Sequence, residues 1–502
     1  MTYSPPCCII SLHTKIHERG VLYVRLIIQQ KNLIGRLYRY FYIYFETFSV
    51  PTIETLFLLV LSMLALESAD SIRFLYQHFL SGITEKSLNA FYYACSYAKA
   101  DYSKFMNVTA SMVLKLIPDS LKLQPVFLCI DDTMISKFGK KFEDVSILFD
   151  HAAHNGSNYL NGHCFVSIML CVPVWKGNKS VYLSLPLGYR IWKKKEASKL
   201  DLAASLMRQV MPSLSGVKNV ILLCDSWYAK KNLVRMVDEY ENLDIICNAR
   251  NDSVIYDLAP PKSGKRGRPP KHGKRLSIKD DFSFSEEKIG DYYIGVRRVL
   301  SNIFGEREVL AFVTSTGNTG SGGRLFFSTV FPEQLTMFCA WQEKAPFNQT
   351  GSERMKYIPL FLYGFRWNIE VSYYEQKTFW SLCNYMIRSR NGIEMLVNLI
   401  TISYCAMKIL PYQDVSLKEY QDKSVQEFRF VLSSQIREQV FYAHFVKNIE
   451  NCIKSIPFIN TLKRLLQQQG YYFISSISCR IFLNVHRVTA RSSSCIFDMI
   501  FS

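Results

Sequence analysis

Pro125-Val-Phe-Leu-Cys-Ile-Asp131-Asp132-Thr133 decides the fold. An unbroken apolar run, opened by proline and closed by two carboxylates, reads as a strand buried on both faces. In open α/β sheets functional groups gather beyond the strand ends, which is where this run delivers its aspartates. The pattern continues outward from it. Residues 162–174 and 180–185 read as two further strands with turn signals between them, and 195–210 as a helix. Residues 217–224 form another buried run, ending in Asp225, followed by a helix over 229–241 and a strand over 243–247. The resulting order, βββαβαβ, predicts a mixed sheet flanked by helices.

Composition bounds the rest. A chain of 502 residues is too long for one core, and a hydrophobic content of 49% predicts that most of it folds. The formal net charge of +18 favours a polyanionic partner, nucleic acid ahead of an anionic membrane surface. The 14 cysteines are dispersed, with no Cys-x-x-Cys, and several (Cys129, Cys171, Cys224, Cys247) lie inside apolar runs. That usage fits a reducing cytosol and argues against a disulfide scaffold or a structural zinc site. Residues 55–66 are the most hydrophobic stretch, too short to span a bilayer and bounded by Glu54 and Glu67, so they read as a buried helix. No convincing signal peptide opens the chain, and no membrane association is expected.

Away from the strand pattern, residues 51–118 read as several amphipathic helices. Residues 1–50 are basic and aromatic, around Arg36-Leu-Tyr-Arg-Tyr-Phe-Tyr42, and read either as a DNA-gripping arm or as sequence outside the folded unit. Residues 251–350 differ in composition: a basic, proline-rich start, then short β-like runs and glycine-rich turns, the marks of a β-rich insertion. An apolar helix over 391–410 and further helices over 411–470 follow, and the last thirty residues read as a poorly ordered tail.

A second stretch carries chemistry. In Tyr363-Gly-Phe-Arg366-Trp-Asn-Ile-Glu370-Val-Ser-Tyr-Tyr-Glu-Gln-Lys377, the four numbered residues stand 3, 4 and 7 apart. On an α-helix, at about 100° per residue, they fall within roughly 60° of one another. A carboxylate flanked by two cations and a phenol suits a divalent metal with phosphates around it, hence phosphodiester chemistry. Asp131 or Asp132, Asp225 and Glu370 are therefore expected at one place, around Mg²⁺, a hard oxygen-seeking ion. Two such ions activate a water or a 3′-hydroxyl on one side and stabilise the leaving oxygen on the other. Taken singly, each acid has an ordinary reading: Asp131 or Asp132 as a turn former, Asp225 as a helix cap, Glu370 as a surface ion-pair partner of Arg366 or Lys377. Their joint occurrence in this element order favours the site.

On these residues the chain resembles the DDE transposases of bacterial cut-and-paste insertion sequences, within them the families carrying a Tyr-(2)-Arg-(3)-Glu-(6)-Lys signature. Residues 363–377 match that spacing without a gap, and the Asp-Asp-Thr of 131–133 and the Asp-Ser-Trp-Tyr of 225–228 match the two aspartate motifs. The resemblance spans about residues 55–410. It implies an α/β, RNase H-like catalytic core interrupted by a β-rich insertion, with helical N- and C-terminal regions. With the composition and pattern of the ends, which add nothing to the resemblance, the chain divides into an arm (1–50), an N-terminal helical DNA-binding region (51–118), a catalytic core in two parts (119–250 and 351–410), the insertion (251–350) and a C-terminal helical region with tail (411–502). The resemblance implies that Asp131, Asp225 and Glu370 hold two Mg²⁺ ions, with Mn²⁺ able to substitute. Asp132 rivals Asp131; only one of two neighbours on a strand faces the metals, and Asp131, directly after the apolar run, is preferred. Tyr363, Arg366 and Lys377 are implied to contact DNA phosphates.

The implied activity is cleavage at transposon ends and strand transfer into target DNA, by a homodimer on DNA, in the bacterial cytoplasm and on the nucleoid. Two other readings stand: a structure-selective nuclease of the same fold, and a domesticated copy that only binds DNA. The run Lys265-Arg266-Gly-Arg268-Pro-Pro-Lys271 resembles an AT-hook core, whose arginines, Arg266 and Arg268, enter a narrow minor groove; a flexible basic linker is the equal alternative. His151, His154 and His163 lack the partners of a zinc site and read as turn or packing residues. Trp227 and Tyr228 read first as core packing and second as a wedge against a base.

Overall fold

The protein is described by a computed structural model, covering residues 33–68, 70–150, 158–261, 270–318, 322–335 and 352–454, with 460, 461 and 464. The N-terminal helices are α1 (Leu33–Phe45), α2 (Val50–Ala65), α3 (Leu88–Tyr97) and α4 (Tyr102–Leu114). The strand pattern begins with β1 (Val126–Ser136), β2 (Ser146–Phe149), β3 (Tyr159–Lys176) and β4 (Lys179–Trp192). Then come α5 (Lys199–Val210), β5 (Val220–Cys224), the short α6 (Lys231–Val234) and β6 (Leu243–Ala249). β3 pairs antiparallel with β1 and β4, while β5 and β6 are parallel to β1, giving the order β4-β3-β1-β5-β6. This is a mixed sheet flanked by helices, consistent with an RNase H-like core. The parallel centre follows from burial: every residue of β5 is buried, as is the apolar half of β1.

The insertion does not stand apart from this sheet. Its strands β7 (Ile255–Tyr256), β8 (Arg275–Leu276), β9 (Tyr293–Ser301), β10 (Glu308–Ser315) and β11 (Arg324–Ser328) join it, with β11 antiparallel to β6. Eleven strands result, in one path from β2 to β8 with β4 beside β3. The insertion is β-rich as expected, but it covers an apolar sheet edge at β6 instead of building a separate layer.

The other edge is closed by side chains. In α7 (Trp367–Phe379) and α8 (Arg390–Gln413) the chain returns to the core. From α8, Asn398 Oδ1 accepts from Tyr189 N at 3.0 Å, and Glu394 Oε1 accepts from Ile191 N at 2.9 Å. These bonds serve β4 where a neighbouring strand would. α8 is long and apolar enough to cross a membrane, yet it is 94% buried within the fold. It packs on β4, α2 and α3 as the core helix of the domain.

One expectation is corrected at the N-terminus. The segment 36–42 is neither a free arm nor outside the fold: it lies in α1, whose Leu37, Tyr40, Phe41, Tyr44 and Phe45 are buried. Its Arg36 pairs with Asp414, and Tyr44 Oη shares a 3.0 Å hydrogen bond with Thr109 of α4. An aromatic residue at every third or fourth position made a core-facing stripe of what looked like a basic surface. Residues 1–32 and the tail beyond 464 lie outside the described residues. Within α9 (Val425–Lys454), the chain divides between Ile436 and Arg437 into two compact units.

Candidate active site

The site is built where β1, the end of β5 and α7 meet. The four signature residues do not share one α-helix: Tyr363–Arg366 form a 3₁₀ turn, and α7 begins at Trp367. Their common face survives for a different reason. A 3₁₀ turn eclipses residues three apart, so Arg366 comes over Tyr363, guanidinium to ring centroid 5.9 Å. Four residues on, along α7, Glu370 Oε1 accepts from Arg366 Nη2.

α7 runs alongside β1 in the same direction. Phe365 stacks on Phe127 at 4.6 Å, Arg366 Nη1 reaches Asp131 Oδ2 at 3.3 Å, and Lys377 Nζ donates to Met134 O at 3.1 Å. Tyr373 Oη, buried, shares a 2.6 Å hydrogen bond with Ser167 Oγ, the residue paired with Asp131 on β3. These ties fix the register of helix against strand, and with it the meeting of Arg366, Asp131 and Glu370, 235 and 4 positions apart in sequence.

Asp225 follows β5. Its Oδ1 accepts from Trp227 N at 3.0 Å and Tyr228 N at 3.1 Å, which closes a turn over 226–228; it does not cap a helix, since the next one begins at Lys231 behind Lys230. Burial raises its pKa, opposed by those two N–H groups and by the nearby Arg366. Asp131 is pushed up to about 7, first by burial, then by Asp225 and Asp132, against the pull of Arg366 and of Asp132 N. Negative charge here exceeds what the surrounding donors neutralise. Burial opposes the charge on Arg366, yet Tyr363, Glu370 and Asp131 raise its pKa above the ordinary arginine value. Burial raises the Tyr363 phenol and lowers the Lys377 ammonium.

Asp132 points elsewhere. Its Oδ2 pairs with Lys199 Nζ at 2.7 Å and accepts from Cys164 Sγ at 3.2 Å; its Oδ1 accepts from Tyr228 Oη at 2.9 Å. Lys199 was invisible to sequence reasoning, because nothing in the spacing of α5's first turn signals a reach to β1. Lys137 was missed as well. It is buried, donating to Cys383 O at 2.6 Å and Tyr385 O at 2.8 Å.

Of the remaining expectations, His163 is a packing residue, buried between Tyr385 Oη at 2.6 Å and Glu143 O at 2.8 Å. His151 and His154 lie outside the described residues, as do Arg266 and Arg268 of the AT-hook-like run. Among the described residues no three acid, imidazole or thiolate groups converge as closely as the ligands of one ion; Arg366 stands between Asp131 and Glu370 instead. The donors nevertheless suit a hard divalent cation. They are carboxylate oxygens, and Asp131 is over-supplied with negative neighbours.

Residues 84–290 match the family of DDE superfamily endonucleases. The match takes in Asp131, Asp132 and Asp225 and stops short of Glu370 and the signature around it. It supports a DDE-type transposase or nuclease, with DNA as the substrate; nucleases of this kind generally use divalent metal ions. No curated protein matches the chain.

Proposed function

We propose that the protein is a DNA transposase of the Tyr-(2)-Arg-(3)-Glu-(6)-Lys class, cleaving at transposon ends and joining the freed 3′-hydroxyl to target DNA. The observation that carries this reading is the tie of Arg366 to both Asp131 and Glu370, next to Asp225. Asp131, Asp225 and Glu370 would hold two Mg²⁺ ions, or Mn²⁺ in their place. Such ions, when bound, activate an attacking water or 3′-hydroxyl and stabilise the leaving oxygen, so one site serves cleavage and joining. Arg366 contributes a planar fork suited to two phosphate oxygens, and its contacts with Asp131 and Glu370 hold it beside the carboxylates, where a phosphate would bind. Tyr363 supplies a phenol O–H that burial keeps protonated, a donor to a phosphate oxygen. Lys377, anchored on Met134 O, adds a point charge at the far end of the same face. The core is read as residues 119–250 with 351–410, and the working form on DNA as a homodimer, since two ends are processed together.

A nuclease without strand transfer is the second reading, favoured by the extent of the family match, which omits the signature. The test uses duplexes carrying the DNA that flanks the coding region on both sides, incubated with the protein, Mg²⁺ and a target plasmid. Plasmid joined to both ends supports transposition. Cleaved duplex that never joins overturns it in favour of the nuclease.

A further inference from the structure

Beside the carboxylates, aromatic rings and ammonium groups alternate. Lys199 Nζ lies 5.5 Å from the ring of Trp192 and 5.3 Å from that of Trp227, and Lys230 Nζ lies 4.8 Å from Trp227 on its own account. Three separate elements meet to make this row: the end of β4, the first turn of α5, and the turn after β5. Trp227 and its neighbour Tyr228 behave differently. Tyr228 is fully buried with its Oη on Asp132, whereas Trp227 keeps 39% of its surface exposed. Yet the exposed indole is not loosely held. Its backbone N–H is bound by Asp225 Oδ1, and the turn is locked by Ala229 N to Asp225 O at 3.0 Å and Lys230 N to Tyr228 O at 2.7 Å.

An exposed large aromatic is usually an expense to a fold, and the cations beside it recover part of that through the ring quadrupole. The arrangement has a second use. Aromatic faces flanked by cations are how proteins hold unstacked nucleobases, the ring taking the base and the ammonium groups the adjoining phosphates. We propose that Trp227, between Lys199 and Lys230, is a stacking platform for a nucleobase of the DNA strand whose phosphodiester is cut at Asp131, Asp225 and Glu370. This rests on the proposed nuclease chemistry for its location but not for its binding. Trp227 stands two positions after Asp225, in the turn that Asp225 Oδ1 closes, so a base on the indole would lie near the reacting phosphate. Lys199 also joins the platform to Asp132, so base and carboxylate ledge share one support.

The test is binding of a duplex with a short single-stranded 3′ overhang, carrying 2-aminopurine in the overhang and in the last base pair, to the full chain without divalent metal. Stacking on an indole quenches this fluorophore. The wild type is expected to quench it. Trp227→Phe should keep most of the quenching, while Trp227→Ala and Trp227→Leu lose it and bind the overhang about tenfold more weakly. Matched thermal melting of the variants establishes that they fold. Quenching unchanged in Trp227→Ala overturns the platform. A wild type that cleaves DNA without quenching the probe also overturns it, leaving the nuclease reading intact. A wild type that quenches but never cleaves overturns the nuclease reading and leaves the platform standing.

Discussion

The two faces of β1 treat adjacent carboxylates differently. Asp132 is satisfied: an ammonium, a phenol and a thiol meet its two oxygens. Asp131 is not: the cation beside it, Arg366, is shared with Glu370, two other carboxylates press on it, and its pKa is pushed up to about 7. A carboxylate whose charge is already met supports the structure, and one whose charge is unmet is poised for a cation. Sequence alone left the pair open. The alternation of side chains along a strand parts them, and each meets different partners on its own side.

The largest test of this contrast is activity. Asp131→Asn is expected to lower Mg²⁺-dependent DNA cleavage by at least about a thousandfold while leaving DNA binding within severalfold, and Asp225→Ala and Glu370→Gln to behave alike. Asp132→Asn should show its main deficit in stability. A cleavage assay normalised to folded protein reads both effects. Full activity in Asp131→Asn, or loss confined to Asp132→Asn, would reverse the assignment of the two faces.

The second test breaks the satisfied face. Lys199 and Asp132 are both largely buried, so Lys199→Ala leaves a carboxylate without its counter-ion and should destabilise the fold by about 3–5 kcal/mol, measured by urea denaturation. Replacing both partners, as Lys199→Met with Asp132→Leu, should recover most of that loss, because an apolar pair needs no counter-charge. If the single variant is as stable as the wild type, Tyr228 and Cys164 suffice to hold Asp132 and the contrast with Asp131 narrows.

The legible part of this molecule was periodic. Apolar runs at 126–130 and 220–224 declared buried strands, and the 3, 4 and 7 spacing of Tyr363 to Lys377 declared a shared face even though its first turn is 3₁₀. What stayed hidden depends on pairing between distant segments. No local signal says that β11 seals the edge of β6, that Lys199 reaches Asp132, or that Asn398 serves the backbone of β4. The segment around Arg36 misled for a related reason: two arginines, Arg36 and Arg39, outweighed, to the eye, an aromatic stripe that tertiary packing buries.

Lys137 extends the comparison to a charge with hydrogen bonds but no counter-ion among the described residues. Its Nζ donates to two carbonyls and lies 3.5 Å from the Tyr385 ring centroid, yet burial pushes its pKa down to about 8. In the unfolded chain a lysine keeps its proton to about pH 10.4. Between the two values the unfolded state therefore binds more protons than the folded one, and stability should rise with pH across that window. Below about 8 both states are protonated and the full cost of burying the charge is present. Lys137→Met removes the titration while keeping the length of the side chain. Urea midpoints at about pH 7.5 and about pH 10 should show the wild type gaining on Lys137→Met as pH rises. A difference that stays flat would mean that the carbonyls and the ring offset burial completely. Of the two charges, only that of Asp131 would then be unmet, where carboxylates, and not burial alone, impose it.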